Sequence, residues 1–172
     1  MKQPVITYSS DLPANTNVGL FEHFSPAGAS YPVHWHDYLE FEIVVSGQAE
    51  HNHNGAVYPV SPGSAYMMCY NDFHGITALT DLMVLSLHIT GDILNTELVD
   101  FLEFNKLLCR FTPDETADIV NLLRRIDTEN QFNQPFCNIQ IKNLAEEIII
   151  RLIRKSTILK DHATPPPIRQ AV

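Results

Sequence analysis

The fold class that this sequence predicts is mainly β: a sandwich or closed barrel, followed by two or three helices. Up to about residue 90 the chain runs in short strand-like segments divided by turn signals. No long helical period interrupts that half. After residue 92 the apolar residues recur at three and four, the spacing of one helix face. A length of 172 residues fits one domain with a helical appendage, and 45% hydrophobic residues suffice for a core.

The expected strands are VITY (5–8), VGLFEHF (18–24), YPVHWH (31–36), EFEIVV (40–45), AEHNH (49–53), AVYPV (56–60), SAYMMCY (64–70), HGITAL (74–79) and MVLSLHI (83–89). Asn54-Gly55 between two of them predicts a type I′ hairpin, and Ser61-Pro62-Gly63 a second turn. Such a series of short strands suggests a sandwich or a barrel. Leu94, Leu98, Phe101, Leu102 and Phe104 then fall at helical spacing. Thr112, Pro113 and Glu115 announce the next helix as N-cap, first-turn proline and capping-box partner, and Ile119, Leu122, Leu123 and Ile126 form its apolar stripe. A third helix is expected over about 138–157, with Ile141, Leu144, Ala145, Ile148 and Leu152 on one face. Ile149, Ile150 and Ile153 widen that face, so the helix should pack on two sides: within the chain, or against a second copy through Ile149 and Ile153. Pro165-Pro166-Pro167 reads as a stiff linker, which suggests a partner domain beyond residue 172.

Charge is uneven. Residues 1–105 hold one base against twelve acids, and residues 106–172 hold ten bases against eight. The first segment would repel a phosphate backbone and disfavours an anionic ligand; neutral or cationic ligands suit it better. Cys69, Cys109 and Cys137 are odd in number and far apart, which predicts buried free thiols rather than a disulfide framework. The N-terminus lacks the apolar stretch of a secretory signal and no apolar run is long enough for a membrane span, so the expected compartment is the cytoplasm. Motifs for phosphate binding or serine-type nucleophilic catalysis are absent.

Residues 34–47 read HWHDYLEFEIVVSG. On a strand, His34 and His36 share a face and Trp35 takes the other, where core or helix packing is expected. Continued alternation places Glu40 and Glu42 together, opposite Phe41, Ile43 and Val45. In an open sheet the ionisable face meets water; in a barrel it lines the lumen. Tyr66, Met68 and Tyr70 alternate toward one side, as core or as a wall on which a ligand stacks. Ser86 and His88 oppose Leu85, Leu87 and Ile89 and are further lumen candidates. His51 and His53 flank the hairpin turn and are expected at the surface.

Gly28, His34, His36, Glu40 and Gly47 stand at the spacing of the first cupin motif, and the chain resembles that superfamily over about residues 18–90. Gly63 and His74 match the ends of the second motif, whereas Cys69, Asn71 and Ala78 replace its usual proline, glycine and asparagine. The resemblance implies a double-stranded β-helix, or jelly-roll barrel. It also implies that His34, His36, Glu40 and His74 fill the positions at which cupin enzymes hold a metal; three imidazoles and a carboxylate suit Zn, Fe, Mn, Ni or Cu. The run from His34 through Gly55-Ala56-Val57-Tyr58-Pro59-Val60-Ser61-Pro62-Gly63 to His74 is similar to the N-terminal cupin part of AraC-type transcription regulators. That resemblance implies an effector-binding barrel over 1–92, a helical dimerisation appendage over 93–160 and a linker over 161–172 toward a helix-turn-helix DNA-binding domain. The expected ligand is a small polar effector, often a sugar, held by His34, His36, Glu40, Glu42, Tyr66, His74 and His88, with no cofactor required. The chain would form a homodimer and reach DNA only through the further domain, and no membrane partner is expected. Two alternatives stay open: a small metal-dependent cupin enzyme, such as an isomerase or dioxygenase, and a dimerisation module with a closed lumen.

Overall fold

A computed structural model of the chain describes residue 12 and residues 16–70, 72–90 and 93–156. Eight strands come first: β1 (Val18–Ser25), β2 (Ser30–Trp35), β3 (Leu39–Ser46), β4 (Ala49–His53), β5 (Ala56–Val60), β6 (Ser64–Met68), β7 (Phe73–Ala78) and β8 (Leu82–Ile89). Then follow α1 (Thr96–Phe104), β9 (Leu108–Arg110), α2 (Pro113–Phe132) and α3 (Cys137–Lys155). The strand expected at 5–8 and the linker at 161–172 lie outside the described residues.

The strands form two antiparallel sheets, ordered β1-β8-β3-β6-β9 and β2-β7-β4-β5. This is the mainly β, cupin-type architecture expected, with the helices after it. At the β4–β5 turn Asn54 and Gly55 both take positive φ, 52° and 85°, as a type I′ turn requires. β9 was not anticipated. Three residues cannot display a period of two, and LCR becomes a strand only because the edge of β6 receives it, Ala65 opposite Cys109.

Between the outer face of the five-stranded sheet and the helices lies the larger core. Phe41, Ile43, Leu85, Leu87 and Ile89 meet Ile119, Leu123, Ile126, Ile148 and Ile149 there. The α2 stripe is buried at all four expected positions. Thr112 accepts from the Glu115 N–H while Glu115 accepts from the Thr112 N–H, so the capping box forms as the sequence predicts. A second cluster, with Val44, Tyr66, Met68, Leu82 and Val84, closes one end of the barrel from within.

Four expectations change. Trp35 points away from the histidines, but it reaches solvent at 45% exposure instead of packing in a core. Val45 is also exposed, because the register irregularity between Val44 and Ser46 falls on it, whereas Val44 keeps to the inward face of Glu40 and Glu42 and is buried. Phe104 is exposed although it lies at helical spacing. Ile149 is wholly enclosed in the chain's own core and offers no free face to a second copy, while Ile153 packs against the same cluster and stays partly exposed. The three cysteines are buried free thiols, as expected. Among the described residues no helix is long and apolar enough to cross a membrane.

Candidate functional site

The two sheets face each other across a lumen, and their inward side chains are ionisable. From the four-stranded sheet and the turn after β2 come His34, His36, His51, His53 and His74; from the five-stranded sheet come Glu40, Glu42, Ser86 and His88. All are buried. Alternation accounts for this: on β3 and β8 every second residue faces in, and its neighbours face the helices.

Glu40 is the hub. Its Oε2 lies 3.0 Å from His36 Nε2 and 3.2 Å from His74 Nε2. Its Oε1 accepts from Ser86 Oγ at 2.5 Å and lies 3.0 Å from His88 Nε2. Burial pushes the Glu40 carboxyl up, but His36, His74 and His88 together outweigh it and hold the group well below the usual carboxylate range. Glu42, two residues on, shows the opposite balance. Burial, reinforced by the charge of Glu40, raises its carboxyl well above the usual range, and Tyr66 across the β3–β6 pair offsets only part of this. The surroundings thus push the two carboxyls of one lumen in opposite directions.

Ring orientation matters as much as position. Tyr38 O accepts from His36 Nδ1 at 2.8 Å, and Pro32 O accepts from His34 Nδ1 at 3.0 Å. In the neutral ring, a donating Nδ1 leaves the Nε2 lone pair facing the lumen. At His36 that lone pair meets a Glu40 oxygen at 3.0 Å, a contact that requires a proton or a cation between two acceptors. His36 Nε2, Glu40 Oε2 and His74 Nε2 are buried and make no aligned hydrogen bond, although they lie close together. Convergent, orphaned nitrogen and oxygen donors with a carbonyl fixing one ring from behind fit a transition-metal ion. The fitting set is His36, Glu40 and His74. His34 stands beside it, its ring 4.3 Å from that of His74, without joining the converging atoms.

In front of this network opens a cavity of about 330 Å³. His34, Glu40, Glu42, His74 and His88 supply its polar wall, and Phe21, Tyr31 and Tyr38 its aromatic wall. Among the described residues neither lysine nor arginine lines it. Tyr38 lies nearly parallel to His36 at 4.1 Å and stacks on His88 at 4.4 Å, so one aromatic ring braces two imidazoles. Burial lowers the imidazoles of His34 and, near the mouth, His23.

Of the seven expected ligand residues, five line the cavity: His34, Glu40, Glu42, His74 and His88. His36 reaches it only through Glu40, and Tyr66 lies behind Glu42, fully buried against His51 with ring centroids 3.9 Å apart. His51 and His53 are not at the surface as expected. Both are enclosed, and burial and then His74 drive the His51 imidazole down to about 3. The alternation of AEHNH carried that signal, since Ala49, His51 and His53 share the buried face. His53 approaches Asp72 at 3.3 Å. Tyr38, Phe21, His23 and Tyr31 line the cavity without any spacing in the sequence that sets them apart.

Solved structures similar to this chain include an RmlC-like cupin from Shewanella frigidimarina NCIMB 400, at 19% identity and a TM-score of 0.42 over 44% of this chain and 68% of that one. KdgF from Halomonas sp. is similar at 24% identity and 0.41, over 44% and 72%. Oxalate decarboxylase from Bacillus subtilis, a protein with Mn(II) centres, is similar at 23% and 0.42, over 47% of this chain and 23% of its own length. No curated protein matches the sequence. The profile of the family described as the AraC-like ligand binding domain matches residues 20–152, which takes in the barrel, the cavity wall and all three helices. That span is well over half of the sequence, and the chain therefore belongs to the AraC-like ligand binding domain family.

Proposed function

We propose that the chain is the effector-sensing and dimerisation part of a cytoplasmic transcription regulator of the AraC type, and that its effector is a small, uncharged, polar molecule such as a sugar. The cavity is the observation that carries this reading. Its volume of about 330 Å³ is at the small end of ligand sites. Its lining combines aromatic rings of Phe21, Tyr31 and Tyr38 with hydrogen-bonding groups on Glu40, Glu42, His34 and His88, a combination that suits a ring with an apolar face and hydroxyl edges. An anion would find two carboxyls and no fixed cation.

Transmission follows from strand alternation. Glu40 and Glu42 alternate with Phe41 and Ile43 on β3, and Ser86 and His88 alternate with Leu87 and Ile89 on β8. A ligand that moves the first set displaces the second, which packs against the helices. The effector shifts the regulator between arrangements by no more than its difference in affinity for them. Contact with DNA would pass through a helix-turn-helix domain outside residues 1–172. In the homodimer α3 would meet its copy near Ile139, which keeps free apolar surface.

A thermal-shift screen of neutral sugars and polyols against anionic sugar acids tests the reading. A neutral sugar should raise the midpoint, and His34→Ala or His88→Ala should abolish the shift while the far-ultraviolet spectrum stays unchanged. Binding of anionic compounds only would overturn the reading. The convergence of His36, Glu40 and His74 favours one other reading, a metal-dependent enzyme. Those three residues would hold the ion, which would supply Lewis acidity. Turnover of a bound compound by chain carrying stoichiometric Zn, Fe, Mn or Ni would replace the sensor reading with this one.

A further inference from the structure

We infer that Glu42, His51 and His74 form a second, inner site for a divalent transition-metal ion, one that shares His74 with the outer set but needs neither His36 nor Glu40. One carboxylate oxygen of Glu42 and one ring nitrogen from each histidine lie within 4.8 Å of one another, and all three residues are buried. Of the nitrogens that could bind, His51 Nε2 has no hydrogen-bond partner, and His74 Nε2 makes no aligned hydrogen bond although Glu40 Oε2 lies 3.2 Å away. Leaving a buried polar nitrogen unpaired is costly, and one beside a carboxyl and a second imidazole marks a place built for something that all three bind.

The surroundings fix the donors. The His51 ring lies nearly flat on Tyr66, interplanar angle 19°, and Tyr66 pairs with Glu42 across β6 and β3. His74 is held in register opposite His34 on one side and His53 on the other. Two imidazoles and one carboxylate select Zn, Co, Fe or Mn over the oxygen-seeking Ca and Mg. Charge is mixed: two carboxyls from one face of β3 share the lumen and favour a dication, while Lys106 lines the small pocket on the His51 and Tyr66 side. Ligands about 2.1 Å from an ion at tetrahedral angles stand about 3.4 Å apart, so small inward rotations of the three side chains close the set.

His74 belongs to both the outer and the inner sets, and a single imidazole nitrogen serves one ion. An ion held by the inner set leaves Glu40 facing the cavity and fixes His74 in the cavity wall. The inner ion is therefore compatible with effector binding.

The test uses the 172-residue chain stripped of metal by a chelator and titrated with Co²⁺, read by d–d absorption and by metal analysis. His36→Ala removes the outer set. In that background the chain should still bind about one Co²⁺. Adding Glu42→Gln, which keeps the shape of the side chain, or His51→Gln should then weaken Co²⁺ binding at least about tenfold. Circular dichroism melts check that each variant folds. Loss of all Co²⁺ binding in His36→Ala, or binding that neither Glu42→Gln nor His51→Gln changes, overturns the inner site. Neither result bears on whether the cavity takes a sugar.

Discussion

Phe41 and Glu42 are neighbours on β3 and both are buried, yet they belong to different regions. Phe41 faces the helices, in a core made only of aliphatic, aromatic and thiol side chains. Glu42 faces the lumen, where buried histidines, carboxyls and Ser86 gather beside a smaller apolar cluster. The difference teaches that burial does not measure stability. On the helix side, removal from water is itself the favourable term. In the lumen, polar groups are desolvated and only partly satisfied, so the same burial costs free energy that the helix side must offset. The fold is held from one face of the sheet, and its ionisable groups gather on the other.

Substitutions on the two sides should separate these roles. The largest effect is expected at Phe41→Ala, which removes a ring with no solvent access from the helix-side core: about 3–5 kcal/mol of stability by urea denaturation. A loss below about 1 kcal/mol would break the comparison, because the helix side would not then be carrying the fold. A middle effect is expected at Thr112→Ala, which deletes half of the α2 capping box and should cost about 1 kcal/mol. This value should not vary with the state of the lumen, and coupling to ligand or metal would show that α2 is not an independent support.

The smallest effect is expected at Glu42→Gln in the metal-free chain, under about 1 kcal/mol at pH 5, since burial already keeps that carboxyl protonated. Its pH dependence sharpens the point. A folded-state value raised above the ordinary 4.5 means that the folded chain keeps a proton which the unfolded chain gives up first. The resulting stabilisation is complete below about pH 4.5 and is lost as pH rises toward the folded value. Glutamine has no such proton, so the variant should gain on the parent chain between pH 5 and pH 8. Equal differences at both pH values would mean that Glu42 is ionised throughout and that the lumen tolerates two charges.

Much of this was legible along the chain because it is written in local periods. Strand alternation placed Glu40 and Glu42 opposite Phe41 and Ile43, and Ser86 and His88 opposite Leu87 and Ile89. The Asn54-Gly55 turn and the Thr112 cap follow from backbone conformation and one short hydrogen-bonded ring, both set within four residues. The cupin resemblance carried by the histidine and glutamate spacing implied the barrel, and five of the seven residues expected as ligands, from that spacing and from strand alternation, line the cavity.

What remained hidden depends on which neighbour a residue meets. His51 and His53 were expected at the surface because a tight turn follows them, yet β4 is an inner strand flanked by β5 and β7, and its alternate residues are enclosed. Ile149 was expected to serve either its own chain or a second copy, and only the seat of α3 on α2 and the barrel core decided for the first. The three-residue β9, the exposed Trp35 and the bracing of two imidazoles by Tyr38 have the same origin. Periodicity assigns a residue to a face, because that choice is made by the local backbone. What lies across from the face is fixed by strand pairing and helix seating, between residues that the sequence sets far apart.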